Sequence, residues 1–407
     1  MAIQVEEALE SFRQSISFLK KELIPIENAL DRIIASNIYA THFLPRFNNS
    51  AMDGYAVKLE DAGKEVKIKD IIFAGDNKDI SLKSGKCVRI MTGAMVPDDA
   101  EAIIPQEDVE LIGKKTIKLP KNIRANQHIR FVGEDVKNGE LLIEDGDTIN
   151  AAKITILASQ GVSHIEVYKK PKVAVFASGE ELKLHFESVD RHQIYNSNTP
   201  TLLSRAKELG CDVSFVGCAK DNLESLKEMI HSSLDADLII TSGGVSVGDA
   251  DFTKEAFEEF EFETIFDGVI IKPGKPTVFG VINNSFVLNL PGNPLASALI
   301  FEFLGRVLIQ CLIGSNKTYH NAITAKIDDN FSNKAGRITV VPGFYDGEFF
   351  SPSQKRSPGM VNVLNHCNSI MILDENVNRL NAKQEVKIIP FDWQFFSNEP
   401  KDILTYE

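Results

Sequence analysis

Apolar residues recur at helical intervals in three stretches of the first half of the chain. The first covers residues 5–20, the second runs from Ile26 to Ile34, and the third covers residues 148–160. Apolar side chains that are three and four residues apart lie on one face of a helix. The pattern therefore predicts a helix in each of these stretches.

Between the second and third stretches the pattern changes to short alternating runs. Examples are VKIKDIIFAG (66–75) and KCVRIMTGA (86–94), which are bounded by Gly, Asp, Asn and Lys residues. Alternation that is bounded by turn residues is typical of strands. We expect a β-rich insert domain at residues 45–135, within a helical domain that is split between residues 1–44 and 136–170.

The following part of the chain alternates strand and helix patterns. Its strand patterns are apolar throughout, as is usual for strands that are buried on both faces of a sheet. Residues 171–318 are therefore predicted to form an α/β domain with a doubly wound, mostly parallel sheet. The strand patterns cover residues 172–177, 213–217 and 237–241, and the helical patterns cover residues 200–209 and 221–233.

Two further elements complete the predicted fold. The segment from Pro294 to Leu312 has a helical pattern that closes the α/β domain, with Asn293 placed to cap it and Pro294 at its first position. Residues 319–407 contain short strand patterns with Gly and Asn turns, which favour a small β-barrel or sandwich. The predicted fold class is a multi-domain α/β protein.

The charge balance excludes some functions. Asp and Glu outnumber Lys and Arg by 57 to 44, for a formal net charge of −13. Such a chain lacks the broad positive field that non-specific binding to nucleic acid or to an anionic membrane requires. We expect neither as a partner, and any bound anion needs a local site.

Cysteine usage and the chain start favour a cytoplasmic protein. The five cysteines form no C-x-x-C pair, which argues against a disulfide framework and a structural zinc site. The first residues, MAIQVEEALESFRQ, are acidic and amphipathic, unlike a signal peptide. The apolar stretch from Leu299 to Ile313 is interrupted by Glu302 and Arg306, so no membrane span is expected.

A glycine-rich turn follows the third strand pattern and reads TSGGVSVGDADFTKE (241–255). The backbone N–H groups of such a turn, beside a helix start, can cradle a phosphate. Ligands bind at the carboxyl ends of the strands in open α/β sheets, which also favours ASGEEL (177–182). A plain loop capped by Asp251 is the alternative, and the spacing does not fit the dinucleotide motif G-x-G-x-x-G.

Two lysines lie three residues apart in IKPGKP (271–276). Proline restricts the backbone, so the ammonium groups of Lys272 and Lys275 can converge on one oxyanion. Two solvated loop lysines are the alternative interpretation. The segment is not a P-loop, because Pro276 stands where Ser or Thr is needed.

Carboxylates recur in turn contexts. Asp53 lies in the tight turn of SAMDGYA (50–56), and a further turn, LPGNP (290–294), begins the closing helix. Acidic side chains gathered around a phosphate cradle suit Mg²⁺, which binds carboxylate and phosphate oxygens. The other carboxylates in turns are Asp135, Glu180, Glu181, Asp221, Asp249 and Asp251.

Eight segments, in order and spacing, resemble the molybdopterin molybdenumtransferase (MoeA) family, to which one domain of gephyrin also belongs. The resemblance covers nearly the whole chain and thins out after residue 319. The segments are LPRFNNSAMDGYAV (44–57), RIMTGAMVP (89–97), IRFVGEDVKNG (129–139), VAVFASGEEL (173–182), IYNSN (194–198), DLIITSGGVSVGDADFTKE (237–255), IKPGKP (271–276) and NLPGNPLASALIFE (289–302).

The resemblance implies an enzyme of molybdenum cofactor biosynthesis. Such an enzyme inserts molybdate into adenylylated molybdopterin, with Mg²⁺-dependent cleavage of the pyrophosphate bond and release of AMP. The implied architecture is a split helical domain with a β insert, a molybdopterin-binding domain similar to MoaB and Mog, and a C-terminal β-barrel. It also implies a homodimer with a composite intersubunit active site and transient contacts with other cofactor-biosynthesis proteins.

The resemblance also implies site residues, position by position. Catalytic roles fall on Asp53, Thr92, Asp135, Glu181, Asp221 and Asp251. Glu181, Asp221 and Asp251 are the implied metal ligands, while Asp53 and Thr92 are expected to enter from the partner subunit. Implied cofactor contacts are Ser178, Gly179, Ser242, Gly243, Gly244, Ser246, Gly248, Lys272, Lys275, Pro291 and Pro294.

Two departures and two alternatives accompany the resemblance. Glu180 stands where family members often have Asp, and Arg337 and Ser357 match the family's anion contacts only in part. A molybdopterin adenylyltransferase has a similar α/β domain and Gly-Gly loop, although the additional domains argue against it. A non-catalytic pterin-binding scaffold is the second alternative, and it would not release AMP.

Overall fold

The computed structural model describes residues 2–16, 19–243 and 252–392. Short 3₁₀ turns cover Ile26–Asn28, Leu59–Asp61, Gln106–Asp108 and Leu364–His366. The α-helices are α1 (Val5–Ser15), α2 (Ala151–Ser159), α3 (Asn198–Glu208), α4 (Leu223–Ser233), α5 (Phe252–Glu258), α6 (Pro294–Ile300) and α7 (Arg306–Leu312).

The strands, in chain order, are β1 (Lys21–Pro25), β2 (Ile38–Tyr39), β3 (Asn49–Ser50), β4 (Gly54–Val57), β5 (Glu65–Ile72), β6 (Lys86–Ile90), β7 (Ala102–Pro105), β8 (Glu110–Gly113), β9 (Thr116–Lys118), β10 (Ile129–Arg130), β11 (Leu141–Ile143), β12 (His164–Tyr168), β13 (Lys172–Ser178), β14 (Leu182–Lys183), β15 (Ile194–Tyr195), β16 (Asp212–Ala219), β17 (Leu238–Ser242), β18 (Glu263–Asp267), β19 (Ile271–Lys272), β20 (Val278–Ile282), β21 (Ser285–Leu290), β22 (Ile323–Ile327), β23 (Phe331–Ser332), β24 (Ile338–Tyr345), β25 (Phe349–Pro352), β26 (Ser369–Leu373), β27 (Arg379–Leu380) and β28 (Glu385–Pro390).

The chain divides into two compact units. The smaller unit comprises residues 36–145 and 151–164, and the larger comprises residues 1–35, 146–150 and 165–407. The smaller unit has a six-stranded sheet in the order β7-β4-β6-β5-β9-β8. This sheet agrees with the strand-rich character expected of residues 45–135.

The larger unit contains the expected doubly wound sheet, in the order β16-β13-β17-β21-β20-β18. Strands β16, β13, β17 and β21 are parallel, while β20 and β18 pair antiparallel at the other edge. The parallel strands therefore end at one edge of the sheet. That edge is where a ligand site is expected in such a fold.

Different helices cover the two faces of this sheet. Val175 of β13 packs in one core cluster with Leu202 of α3. The next residue, Phe176, points to the opposite face and packs in a second cluster with Leu226 of α4. Because successive side chains of a strand point to opposite faces, a strand buried on both sides must be apolar throughout. The prediction of a doubly wound sheet is confirmed.

The closing helix is continuous from Pro294 to Leu312 and contains a π-helical turn at Phe301–Gly305. Pro294 occupies the first turn as expected, but among the described residues Asn293 makes no side-chain capping bond. The N–H groups of Leu295 and Ala296 instead donate to the carbonyl oxygen of Pro358, at 2.9 and 3.3 Å. A distant segment therefore supplies the acceptor that a helix start lacks.

The C-terminal part forms a closed barrel, as expected. Strands β24, β25, β22, β28 and β26 pair in that order, and β26 pairs back onto β24. Buried residues of these strands, including Phe350 and Ile388, form one apolar cluster. Closure leaves no unpaired sheet edge within the barrel.

The prediction of a helix from Ile26 to Ile34 is wrong. Ile26–Asn28 forms only a 3₁₀ turn, and Asp31 adopts a left-handed conformation (φ 60°) that a helix cannot continue through. Ile33 and Ile34 then form isolated β-bridges with Thr148 and Val167. The helical spacing arises because a turn and a bridged segment bury the same apolar residues.

Two other helix predictions hold in shorter form. The first helix ends at Ser15, so Leu19 lies outside it, and α2 covers Ala151–Ser159 of the predicted 148–160. Helix ends are the part of a prediction that sequence defines least well.

The helix from Pro294 to Leu312 is long and apolar enough, by length and composition alone, to cross a membrane. The helix has the bounds that its sequence pattern predicted, and the expectation of no membrane span was based on its shorter apolar part from Leu299 onward. In the structure, 89% of the most apolar 18-residue stretch of this helix is buried within the protein. It is the one such helix in the described part of the chain, and its surroundings are those of a core helix.

Candidate functional site

Three chain segments meet at the carboxyl edge of the parallel strands. Ser242 ends β17, and its hydroxyl donates to the carbonyl oxygen of Pro291, which follows β21, at 3.3 Å. Gly243 has a φ of 99°, and a Cβ there would lie 2.6 Å from the carbonyl oxygen of Ser178 at the end of β13. Only glycine permits this approach, so Ser178, Ser242, Gly243 and Pro291 belong to one crevice.

A residue that the sequence interpretation did not single out joins these segments. Asn198, the first residue of α3, donates through Nδ2 to Ser242 Oγ and to the carbonyl oxygen of Gly292, both at 2.7 Å. Its segment IYNSN was part of the family resemblance, but the side chain had no assigned role. A polar run just before a predicted helix in an α/β domain was the available signal.

Two of the predicted acids lie on adjacent loops of this edge. The N–H of Gly179 donates to the carbonyl oxygen of Ala219 at 3.2 Å, and that of Glu180 donates to Asp221 Oδ2 at 3.4 Å. Glu181 folds back so that its Oε2 lies 2.7 Å from where a Cβ on Gly179 would stand. The exposed carboxylates of Glu181 and Asp221 therefore border the same crevice.

Lys272 and Lys275 are exposed on a tight turn. Gly274 between them has a φ of 105°, and a Cβ there would lie 2.2 Å from Cγ1 of Ile300 in α6. The turn is therefore packed against the helix that begins at Pro294. The backbone between the two lysines is therefore constrained, while convergence of their ammonium groups on one oxyanion stays a prediction.

The barrel contributes two segments near these residues. β19 pairs in parallel with β24, which places Lys272 opposite Thr339, two residues after Arg337. Ser357 precedes Pro358, whose carbonyl oxygen accepts hydrogen bonds from Leu295 and Ala296 at the start of the closing helix. The partial match at Arg337 and Ser357 thus falls on segments that adjoin the lysine turn and the helix start.

Two further predicted acids, Asp53 and Asp135, lie in the smaller unit. Asp53 Oδ1 accepts hydrogen bonds from the backbone N–H and the hydroxyl of Thr92, both at 2.8 Å. These bonds, the backbone one first, lower the pKa of Asp53. The backbone N–H of Asp135 donates to the carbonyl oxygen of Leu44 at 2.9 Å, and Asp135 is exposed.

Part of the predicted cradle lies outside the described residues, namely Gly244, Ser246, Gly248, Asp249 and Asp251. Within residues 2–16, 19–243 and 252–392, no group of three or more His, Cys, Asp or Glu side chains is placed to hold a metal ion. Glu181 and Asp221 still suit Mg²⁺, because it commonly uses one or two carboxylates and completes its shell with phosphate oxygens and water.

A cavity of about 400 Å³ lies at the opposite, amino-terminal end of the parallel strands. Lys20, Lys170 and Phe286 are among its lining residues. None of the predicted site residues within the described ranges lines it. The described residues to which the sequence assigned chemistry therefore lie elsewhere, and several of them border the open crevice at the carboxyl edge.

Comparison with known proteins identifies the family. Residues 3–161 match the model of the MoeA N-terminal region (domain I and II), and residues 174–310 match that of the probable molybdopterin binding domain. The molybdopterin molybdenumtransferase of Haemophilus influenzae is 34% identical over 402 residues, which are 96% of this chain and 99% of that protein. The chain belongs to the molybdopterin molybdenumtransferase family.

Other comparisons agree with this family. The molybdopterin molybdenumtransferase of Staphylococcus epidermidis is 30% identical, over 98% of this chain and 97% of that protein. The crystal structure of the molybdopterin biosynthesis MoeA protein from Pyrococcus horikoshii has a TM-score of 0.82 and 31% identity, covering 97% of this chain and all of that one. The predicted resemblance, the fold class and an enzyme of molybdenum cofactor biosynthesis are confirmed.

Proposed function

We propose that this molybdenumtransferase family member inserts molybdate into adenylylated molybdopterin, cleaves the pyrophosphate bond with Mg²⁺ and releases AMP. The observation that carries the proposal is the meeting of Ser178, Ser242 and Pro291 with the exposed acids Glu181 and Asp221 at one sheet edge. The crevice has polar backbone and hydroxyl groups for a phosphate, and carboxylates for a metal ion beside it.

The phosphates of the substrate would lie against the loop that begins at Ser242 and Gly243. Small residues let an anion approach backbone N–H groups, and this approach is the usual means of holding phosphate in such folds. Glu181 and Asp221, with Asp251 as the third predicted ligand, would hold Mg²⁺. When bound, the ion would offset negative charge on the phosphates as a Lewis acid.

Molybdate is a small dianion and needs fixed positive donors. Lys272 and Lys275 are the candidates, since both are exposed on a turn that Gly274 packs against α6. Charge-assisted hydrogen bonds from ammonium groups to oxyanion oxygens are stronger than neutral ones. Arg337 and Ser357, on adjoining segments of the barrel, are further candidates for this anion.

A homodimer with a composite site is part of the proposal. The smaller unit carries exposed apolar side chains close in sequence to Asp53, Thr92 or Asp135, and exposed apolar patches are typical of subunit interfaces. We propose that this surface meets a second copy, so that Asp53, Thr92 and Asp135 enter the partner's crevice. The exposed side chains are Phe43, Phe47, Met52, Met95, Phe131 and Val132.

The proposal extends to organisation and surroundings. The domain boundaries expected from the sequence, 1–44 with 136–170, 45–135, 171–318 and 319–407, are retained as proposed modules of the chain. A cytoplasmic location and transient contacts with other cofactor-biosynthesis proteins are also part of the proposal, as the family resemblance implies. Co-purification of an upstream enzyme of the same biosynthesis would support the contacts.

The reaction is tested by measuring AMP release from adenylylated molybdopterin with molybdate and Mg²⁺ supplied. Asp221→Asn and Glu181→Gln should leave the chain folded and slow AMP release by at least about 10- to 100-fold, the loss that is typical even when only a residue supporting a metal ligand is changed. Lys326→Ala, on an exposed barrel residue, serves as a control. Retention of the adenylylated substrate by the wild-type protein would instead identify a scaffold.

The composite site has its own test. Asp53→Asn and Asp221→Asn chains are each expected to be inactive alone. If Asp53 acts on the partner's crevice, a mixed dimer contains one site with both native residues, and activity returns to a fraction of the wild-type level on mixing. Continued inactivity of a mixture shown to contain mixed dimers would place both residues in one subunit's site.

A further inference from the structure

Asn198 joins two loops of the candidate crevice through a single amide nitrogen. Nδ2 donates to Ser242 Oγ at 2.7 Å, at the end of β17, and to the carbonyl oxygen of Gly292 at 2.7 Å, after β21. Asn198 is only half-buried, so part of its side chain is open to the surroundings. Its position therefore combines a fixed amide orientation with partial exposure of the residue.

The orientation of this amide follows from its partners. The carbonyl oxygen of Gly292 can only accept a hydrogen bond, so the atom that faces it must be the NH₂ group and not the oxygen. The second N–H is used by Ser242 Oγ. Both donors of Asn198 are thus occupied, and among the residues described here no group donates to its Oδ1.

We infer that Asn198 is a specificity residue of this site, whose Oδ1 accepts a hydrogen bond from an N–H or O–H group of the bound adenylylated pterin. The inference rests on the proposed function. An acceptor cannot bind a fully ionised phosphate or molybdate oxygen, since neither side has a proton to give. Oδ1 therefore recognises a part of the ligand that carries donors, which is either a ribose hydroxyl or an N–H of the pterin.

The experiment compares wild-type protein with Asn198→Ala by calorimetric titration. The probes are 5′-AMP, its 2′-deoxy and 3′-deoxy analogues, pterin-6-carboxylate and pyrophosphate. Loss of one buried hydrogen bond should weaken binding of the recognised probe about tenfold and leave pyrophosphate binding unchanged. Weaker binding of 5′-AMP, with one deoxy analogue equally bound by both proteins, assigns the ribose. Weaker binding of pterin-6-carboxylate assigns the pterin.

Two results would overturn the inference. Either every probe binds both proteins equally, or pyrophosphate weakens in parallel with the others, because a residue that only supports the loops would affect all ligands of the crevice. Asn198→Ser is the second variant if Asn198→Ala fails to fold, since serine suits a helix start but is too short to span Ser242 and Gly292.

A matched control separates this effect from general damage. Within the barrel, the side chain of Asn368 also bonds two backbone groups, the N–H and the carbonyl oxygen of Tyr345, both at 2.8 Å, and it accepts a third bond from Ser369 Oγ at 3.0 Å. Asn368→Ala should leave all probe affinities unchanged. If the wild-type protein releases no AMP from adenylylated molybdopterin, the proposed reaction fails, whereas the titrations still report on Asn198 by themselves.

Discussion

The guanidinium of Arg205 in α3 donates two hydrogen bonds to the carboxylate of Glu302, from Nε at 2.6 Å and from Nη2 at 3.0 Å. Glu302 is buried in the π-helical turn between α6 and α7. Glu302 also lies 3.6 Å from Nη1 of Arg306, so its removal takes a buried carboxylate from two largely buried guanidiniums, of which Arg205 keeps an ion pair with Glu208. We expect Glu302→Ala to lower the free energy of unfolding by about 3–5 kcal/mol, as measured by urea denaturation.

An exposed ion pair provides the control for Glu302. Lys20 and Asp237 lie 3.0 Å apart, and the lysine side chain is 67% exposed. Lys20→Ala should cost no more than about 1 kcal/mol, because solvent screens such pairs. Equal losses of unfolding free energy in Glu302→Ala and Lys20→Ala would show that burial does not increase the contribution of the Glu302 ion pair to stability.

Substitution of Gly243 should disturb both the crevice and the stability of the protein. A Cβ at this position meets the carbonyl oxygen of Ser178 at 2.6 Å, and its φ of 99° is unfavourable for any other residue. Gly243→Ala should therefore reduce AMP release by at least about tenfold, since the strands must separate to make room.

Gly336 allows the contributions of backbone strain and close approach to be separated. Its φ is 116°, and nothing lies within 4 Å of a Cβ built there. Gly336→Ala should lower the thermal midpoint through backbone strain but leave AMP release unchanged. A comparable loss of activity in both variants would mean that positive φ alone, and not the contact with Ser178, explains the effect at Gly243.

The bonds from Thr92 should set the titration of Asp53. They lower the pKa of this carboxyl, so they stabilise the fold above the ordinary aspartate pKa of about 3.9 and are lost as the pH falls through the lowered value. Thr92→Val should raise the pKa of Asp53 in an NMR titration. Thr92→Ser keeps the hydroxyl and should not. An unchanged pKa in Thr92→Val would leave the backbone N–H as the sole cause.

His320 is expected to weaken the fold as the pH falls. Burial lowers its pKa, and the ring bonds through Nε2 to the carbonyl oxygen of Phe303 at 2.7 Å. A lowered pKa means that the unfolded chain binds the proton more readily, so stability is lost below the ordinary histidine pKa of about 6.5. As the pH is lowered from 8 to 5, the urea midpoint should fall less steeply in His320→Gln than in wild type. Parallel slopes would contradict this.

Lys272 should control the molybdate requirement. Lys272→Ala is expected to raise the half-saturating molybdate concentration by about tenfold, through loss of one charge-assisted hydrogen bond. Binding of 5′-AMP should stay the same, which separates molybdate from nucleotide recognition. Lys326→Ala, whose ammonium pairs with Glu348 at 3.3 Å in the barrel, should match wild type in both measurements.

The sequence was most informative about the parallel strands and least informative about the segment after residue 25. Strands such as Lys172–Ser178 are apolar on both faces, and no other element with that pattern fits their length. Ile33 and Ile34 have helical spacing with Ile26, yet the chain turns at Asp31 and pairs with distant residues. Local spacing cannot reveal pairing partners that are more than 100 residues away.

The candidate site shows the same division between local and distant contributions. Ser242, Pro291 and Asp221 were predictable, because each follows a strand or lies in a turn at the carboxyl edge. The role of Asn198 was not, since its two bonds join loops that are 44 and 94 residues away in sequence. Side-chain bonds between loops depend on tertiary geometry that a single sequence does not express.

The hydrogen bonds from the start of the closing helix to Pro358 have a consequence for the order of folding during synthesis. Pro358 accepts from Leu295 and Ala296, so the edge that carries the crevice is finished by a segment synthesised later. A nascent chain on the ribosome can form the parallel sheet and this helix while its first N–H groups remain solvated. These two N–H groups therefore gain their protein acceptor only after the segment that contains Pro358 has been translated, so completion of this helix start depends on residues near the C-terminus.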